Sequence, residues 1–162
     1  MKIGIISDTH DQVERTTAAI ALLQAQGVEF ILHCGDITEP MMIPLFTEVP
    51  THFVWGNCDY QRIGMAEQMR AIGSELHEPF GEMNIEGIDL AWIHGDDKRL
   101  YAGLVHGDGY DFIFHGHTHV AGESKVGRTR IINPGAMTRA ERKTVAVLEL
   151  PRGELQWLRV EM

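Results

Sequence analysis

Short apolar runs, each followed by a polar or glycine-containing break, recur along the chain. Residues 3–6, 30–33 and 112–114 are runs of this kind, and their continuous apolar character predicts short buried strands. Residues 53–55 predict another strand, since the polar pair Thr51 and His52 argues against an earlier start. Each strand is expected to end in a loop that carries polar side chains.

Apolar residues at helical spacing lie between these strands. They predict a helix over residues 12–26 that stops at Gly27, and Asp11 followed by Glu14 resembles a capping box at its start. Shorter helices are predicted before Gly73 and before Gly107. The first half of the chain thus alternates strands with helices.

Strands dominate the second half of the chain. Residues 80–93 predict two strands around a turn at Glu86 and Gly87, and the tail predicts strands at 121–126, 129–132, 145–150 and 155–160 between turn signals. Together the two halves predict a layered α/β protein with mixed sheets.

Composition and charge narrow the class of protein. The length of 162 residues predicts one domain over residues 1–162. A net charge of −9 argues against non-specific nucleic-acid binding, and the apolar runs are far shorter than the ~20 residues that cross a bilayer. Two cysteines, Cys34 and Cys58, and the absence of an export signal predict a cytoplasmic protein without membrane partners.

Potential metal ligands follow five of the predicted strands. In open α/β sheets, ligands bind beyond the carboxyl ends of the strands, so these loops are expected to converge on one site. The donors are two carboxylates, one amide and four imidazoles, a mixture that suits Mn²⁺, Fe, Co²⁺, Ni²⁺ or Zn²⁺ better than Ca²⁺ or Mg²⁺. Their number exceeds one tetrahedral site and serves two ions if one carboxylate bridges: Asp8, His10, Asp36, Asn57, His94, His117 and His119.

Taken singly, these residues have ordinary structural explanations. Gly35-Asp36 and Gly56-Asn57 are also common turn pairs, and His94 could be a buried histidine with satisfied hydrogen bonds. The ordered set at strand ends favours the metal interpretation.

Five blocks of the sequence, Asp8-x-His10, Gly35-Asp36, Gly56-Asn57, His94 and Gly116-His117-Thr118-His119, resemble those of the calcineurin-like metallophosphoesterases. The length and the Gly56-Asn57-Cys58-Asp59 variant are similar to the small bacterial and archaeal phosphodiesterase branch, of which a retromer scaffold subunit is a divergent relative. The resemblance implies a four-layer αββα sandwich of two mixed sheets flanked by helices. It also implies that Asp8, His10 and His119 hold one ion, that Asn57, His94 and His117 hold the other, and that Asp36 bridges them.

The function implied is metal-dependent hydrolysis of a small phosphodiester by a metal-bound hydroxide, with Asp36 and Asn57 as catalytic residues. Two divalent transition-metal ions are expected, with Mn²⁺ as the first choice and Ni²⁺, Co²⁺, Fe and Zn²⁺ as alternatives. A phosphomonoesterase and a non-catalytic scaffold like the retromer subunit remain alternative functions, and a homo-oligomer remains open.

One block departs from the family pattern. In the wider family a histidine that protonates the leaving group follows the asparagine, whereas this chain has Cys58. A thiol with a pKa of about 8.5 is a poorer acid at neutral pH than an imidazole at about 6.5. Packing is the commoner role of such a cysteine, with metal binding or redox sensitivity as alternatives, and Asp59 is another candidate proton donor.

Two further features are expected near the site. His33 and His115 lie close in sequence to proposed ligands and have either supporting or plainly structural roles. Asn133-Pro134-Gly135 resembles another family block and is equally well explained as a turn.

Overall fold

The computed structural model describes residues 1–162 and contains two mixed β-sheets. The first sheet has the order β11-β10-β1-β2-β3-β4, in which β1 to β4 run parallel and β10 pairs antiparallel with both neighbours. Its strands are β1 (Lys2–Ile6), β2 (Phe30–His33), β3 (Thr51–Val54), β4 (Glu75–His77), β10 (Thr144–Glu149) and β11 (Glu154–Arg159).

The second sheet has the order β5-β6-β7-β9-β8, with β6, β7 and β9 parallel. Its strands are β5 (Gly81–Ile85), β6 (Ile88–Trp92), β7 (Phe112–Phe114), β8 (Gly122–Val126) and β9 (Thr129–Asn133). Three α-helices and one 3₁₀ helix connect the strands: α1 (Val13–Ala25), α2 (Arg62–Ala71), α3 (Lys98–His106) and the 3₁₀ helix Pro40–Phe46. None of the helices combines the length and the apolar character that crossing a bilayer requires.

Three apolar cores separate four layers. One lies between α1, the 3₁₀ helix, α2 and the first sheet, the second lies between the two sheets, and the third lies between the second sheet and α3. Strand β7 shows how the sequence builds them, because Phe112 and Phe114 face the middle core while Ile113 faces the third core. The expected αββα sandwich of two mixed sheets flanked by helices is therefore confirmed.

The elements differ from the prediction in a few places. Strand β3 begins at Thr51 because this residue pairs with Ile31 and its hydroxyl donates to the Val49 carbonyl at 2.9 Å, so the polar side chain is satisfied within the strand. The predicted capping box is wrong, since α1 begins at Val13 and no side chain caps it. The pattern also missed β4 and the 3₁₀ helix, which are too short to show a period.

Candidate metal centre

Five loops meet at the carboxyl ends of β1, β2, β3, β6 and β7. Backbone hydrogen bonds join neighbouring loops within each sheet: the Asp8 N–H donates to the Gly35 carbonyl at 3.0 Å, and the Gly116 N–H donates to the His94 carbonyl at 3.1 Å. The His117 N–H donates to Asp8 Oδ2 at 3.1 Å. The structure thus brings all seven predicted donors together in one place.

Asp8, His10 and His119 form the first group of donors. Their ligand atoms all lie within 4.8 Å of one another, with His119 Nε2 3.1 Å from Asp8 Oδ1. His119 Nδ1 lies 3.1 Å from the Thr138 carbonyl, and donation to this oxygen leaves the Nε2 lone pair free for an ion. Asp8 Oδ1 and His10 Nε2 are buried and have no hydrogen-bond partner. Such unpartnered atoms are costly in a folded protein, and a bound cation would satisfy both.

Asn57, His94 and His117 form the second group. Asn57 Oδ1 lies 3.0 Å from His94 Nε2 and 3.1 Å from His117 Nδ1. His94 Nδ1 lies 2.8 Å from the Cys34 carbonyl, which fixes the ring with Nε2 directed into the site. The three side chains therefore bring one oxygen and two ring nitrogens close together.

Asp36 lies between the two groups. Its Oδ2 is 3.3 Å from His94 Nε2 and 3.8 Å from His10 Nε2, and its Oδ1 accepts the Cys58 N–H at 2.8 Å. This is the position that a carboxylate shared by two ions would occupy.

The site has a strongly negative field. Burial alone would lower the pKa of His94, but Asp36 and Asp8 raise it to about 9. Burial would raise the pKa of Asp36, but His94 and the Cys58 N–H lower it to about 2. Asp36 therefore stays ionised and His94 favours its protonated form, and a divalent cation would replace that proton. The donor chemistry, the unpartnered atoms and the field all fit a cation site.

Glycines allow the loops to approach one another closely. A Cβ on Gly56 would overlap Asp36 Oδ1, and a Cβ on Gly116 would overlap Ser7 Oγ and Asp8 Oδ2. No side chain fits at either position, so these two glycines are required for the donors to converge.

Asp59 anchors two of the loops. Its carboxylate is 2% exposed and accepts the N–H groups of Gly56, Asp36, Ile37 and Thr38. Burial raises the pKa of Asp59, and the bonds from Gly56 and Thr38 oppose that shift. With both oxygens engaged away from solvent, Asp59 cannot reach a leaving group, so the suggestion that it donates a proton is wrong.

His33 supports the site from the core. Its Nδ1 accepts the Gly35 N–H at 3.1 Å, so Nε2 must carry the proton and donate to Thr9 Oγ1 at 3.0 Å. Burial lowers the pKa of His33 to about 3, so the ring is neutral. It joins the loop of Asp8 and His10 to the loop of Asp36. His115 differs, since its Nδ1 lies by the neighbouring Gly116 carbonyl and its ring packs edge-on to Tyr101.

Asn133 lies in the predicted turn and also supports the site. Its Oδ1 accepts the Gly135 N–H at 2.9 Å within the turn, while its Nδ2 donates to the Gly116 carbonyl and to Thr118 Oγ1. The turn therefore fixes the loop that carries His117 and His119.

Cys58 does not pack into a core. It is partly exposed, and its Sγ lies within 4.8 Å of ligand atoms of His10 and Asp36. Burial and the charge of Asp36 raise the pKa of the thiol, while Arg139 opposes the shift. The expectation of a packing role is corrected: Cys58 lies at the site as a protonated thiol.

A groove of about 500 Å³ opens beside the second group of donors. It is bordered by Gly56 and His94 on the side of the site and by Trp55, Arg62, Glu78, Pro79, Ile93, Asp96, Asp97 and Leu100 elsewhere. Trp55 and Leu100 provide apolar surface, whereas three carboxylates and the Arg62 guanidinium border the same space. The groove thus offers room next to the donors for an organic group that carries no extra negative charge.

Comparisons with known proteins show the family of the chain. Residues 1–153 match the family model of the calcineurin-like phosphoesterase superfamily domain. A phosphodiesterase of Methanocaldococcus jannaschii is 30% identical over 138 residues, which is 83% of each chain. A solved structure described as a novel archaeal phosphodiesterase has a TM-score of 0.90 and 27% identity, covering 98% of this chain and 99% of its own.

A more distant likeness shows the fold alone. Vps29 of Entamoeba histolytica, solved in complex with zinc, has a TM-score of 0.65 at 18% identity and covers 99% of this chain and 98% of its own. The same αββα frame is thus shared by chains with little sequence in common.

Proposed function

This chain belongs to the calcineurin-like phosphoesterase superfamily and is a hydrolase, and we propose that it cleaves small phosphodiesters with the help of two divalent metal ions. The observation that carries the proposal is the convergence of seven donors, two of whose buried atoms, Asp8 Oδ1 and His10 Nε2, have no hydrogen-bond partner. A mononuclear site, which holds one metal ion, would leave several of these donors without a role.

The first ion would be held by Asp8, His10 and His119 and the second by Asn57, His94 and His117, with Asp36 shared. Mn²⁺ is our first choice, with Ni²⁺, Co²⁺, Fe and Zn²⁺ as alternatives, because imidazole and carboxylate donors are mixed. When bound, such ions lower the pKa of water and neutralise phosphoryl oxygens. Asp36 and Asn57 are the catalytic side chains, since Asp36 spans both groups and Asn57 lies between two imidazoles at the groove.

The groove favours a diester over a monoester. A diester carries a second organic group, and the space beside His94 can receive one between Trp55 and Leu100. Asp96, Asp97 and Glu78 outnumber Arg62 along the groove and would disfavour a group with further phosphates. We therefore expect a substrate with one phosphodiester and an uncharged organic substituent. No basic surface for a nucleic-acid backbone is expected on a chain of net charge −9.

Metal removal and restoration test the proposal. Exhaustive chelation should abolish diester hydrolysis, and Mn²⁺, Co²⁺ or Ni²⁺ should restore it better than Ca²⁺. Mn²⁺ titration should saturate near two ions per chain, and Asp36→Ala should reduce that number. Asp11→Asn, which changes an exposed carboxylate in the first loop, is the matched control and should keep both ions.

Each alternative makes a different prediction in the same experiment. A phosphomonoesterase would cleave monoesters faster than diesters at equal metal loading. A folded, metal-loaded protein inert towards both ester classes would support a scaffold instead. Saturation at one ion, unchanged in Asp36→Ala, would contradict the shared carboxylate.

We further propose that residues 1–162 act as one metallophosphoesterase domain in the cytoplasm. The three cores run through the whole chain, from Ile3 to Val160, and both cysteines are free. Limited proteolysis that leaves one uncut fragment of full length would support the domain assignment.

A further inference from the structure

We propose that His52, Glu75 and His77 form a separate metal site, which takes Zn²⁺ or a similar transition-metal ion and fastens the edge strand β4 to β3. The strand register places these residues together. His52 pairs with Glu75 and Val54 pairs with His77, so His77 lies two residues along from Glu75 on the same face of the sheet. None of the three belongs to the seven donors of the proposed catalytic site.

The distances between the three ligand atoms match one ion. His52 Nδ1 lies 3.1 Å from His77 Nε2, and Glu75 Oε2 lies 3.7 Å from each nitrogen. A point equidistant from three atoms with these separations lies about 2.0 Å from each, which is the bond length of zinc to imidazole and carboxylate. Two histidines and one carboxylate are also an established set of ligands for zinc.

Aromatic packing holds the two rings in this arrangement. The His77 ring stands edge-on to Trp92 with centroids 4.8 Å apart, and the His52 ring packs edge-on against both Trp92 and Phe30. Ligand directions are therefore set by neighbouring side chains before an ion arrives, which reduces the entropy lost on binding.

Protonation and access also suit an ion. Burial lowers the pKa of both His52 and His77 and Glu75 opposes the shift, so the net effect favours neutral imidazoles. Without an ion, the two facing nitrogens share one proton, and Glu75 lies too far away for a hydrogen bond to either ring. Glu75 is 67% exposed, so an ion can reach the site from solvent.

An ion bound here would hold in place the strand that leads to the groove. Strand β4 ends at His77, and the next two residues, Glu78 and Pro79, border the groove. Strand β4 is three residues long and pairs only with β3, so few contacts hold it. A metal bond between the strands would fix this wall of the groove.

Zinc binding by the full-length protein tests this site. After equilibrium dialysis, elemental analysis should find one zinc ion fewer per chain in Glu75→Gln and in His77→Gln than in the parent. Glu67→Gln, at an exposed position of α2, is the matched control and should keep the parent number. Loss of a direct ligand should weaken this zinc by more than the roughly 10- to 100-fold caused by losing an outer partner.

Thermal unfolding gives a second readout. Zinc at about 100 times its dissociation constant should raise the melting temperature of the parent by about 5–10 °C through this site, and Glu75→Gln should lack that increment. In an assay without zinc, diester hydrolysis with Mn²⁺ should be unchanged in Glu75→Gln. Since Glu75 is exposed, this variant folds even if His77→Gln does not.

The outcomes separate this site from the catalytic one. Asp36→Ala should lose catalytic ions and keep the zinc that depends on Glu75. Failure of the two-ion function with retention of a Glu75-dependent zinc would leave the present inference standing. Equal zinc content in the parent, Glu75→Gln and Glu67→Gln would overturn it.

Discussion

The carboxylate of Asp59 should hold the catalytic loops together, and Asp59→Asn tests this with a change of one atom. Oδ1 accepts the N–H groups of Ile37 and Thr38 at 2.8 and 2.7 Å, and Oδ2 accepts those of Asp36 and Gly56 at 3.0 and 2.7 Å. An amide has one acceptor oxygen, so its NH₂ group must face two of the four donors.

The cost follows from the number of donors left without a partner. Each buried N–H that loses its acceptor costs about 1–3 kcal/mol, so two of them lower the free energy of unfolding by about 2–6 kcal/mol. For a chain of this size, each kcal/mol corresponds to roughly 2–4 °C, and the melting temperature should fall by about 5–20 °C. Two of the four N–H groups belong to Asp36 and to Gly56, the residue before Asn57. A displacement of the Asp36 and Asn57 side chains by about 1 Å should also reduce kcat/KM by about 100-fold.

The assay measures both quantities in one set of variants. Urea unfolding of the metal-free protein gives the stability, and diester hydrolysis at saturating Mn²⁺ gives kcat/KM. Asp11→Asn removes an exposed carboxylate and should match the parent in both. If Asp59→Asn kept its stability within about 0.5 kcal/mol and its full activity, the four hydrogen bonds would not be the anchor that we infer.

Three further predictions concern single side chains at or beside the site. Cys58→His should raise hydrolysis of alkyl phosphates more than that of nitrophenyl esters, by about 10- to 100-fold at most at matched metal occupancy, because only alkyl leaving groups need a proton; equal effects on both would contradict this. His33 has a pKa of about 3 in the folded protein and 6.5 in the unfolded chain. Between these pH values only the unfolded chain binds a proton at His33, so stability falls as the pH falls from 6.5 to 3. His33→Gln should remove up to about 1.4 kcal/mol per pH unit from that slope in urea titrations of the metal-free protein, and an unchanged slope would count against it. Because His117 has a φ of +66°, His117→Gly should be more stable than His117→Ala by about 1 kcal/mol in the metal-free state, and the reverse order would show that this backbone is not strained.

The parts of the fold that the sequence predicted are those with a strong local signal. Residues 30–33 and 112–114 bury both faces and are bounded by polar loops, so apolar continuity alone locates strands β2 and β7. The donors at the ends of these strands could be predicted because the carboxyl ends of parallel strands meet at one edge. Chain order and strand direction were sufficient for that step.

Features that depend on pairing between distant segments could not be predicted from the sequence. Strand β4 has a single inward apolar residue between Glu75 and His77, and it becomes a strand only because β3 offers an unpaired edge. The cluster of His52 with Glu75 and His77 depends on that register, so no spacing in the sequence points to it. Likewise, the sequence shows Asp59 only as an acidic residue beside Cys58. Its role as an acceptor of four N–H groups follows from the close approach of two loops.

The backbone of the site explains why local preference could not have located its residues either. Five of the seven proposed ligands have a left-handed backbone, with φ between +46° and +66°: Asp8, His10, Asp36, His117 and His119. Non-glycine residues in this region cost of order 1 kcal/mol each, so the loops store strain that a sequence chosen for stability would remove with glycine. Hydrogen bonds with Asp59, His33 and Asn133 hold the loops in this conformation, and cations bound between the donors would offset part of its cost. Local conformational preference therefore disagrees with the backbone that these proposed ligands adopt, which is why propensity alone could not have located them.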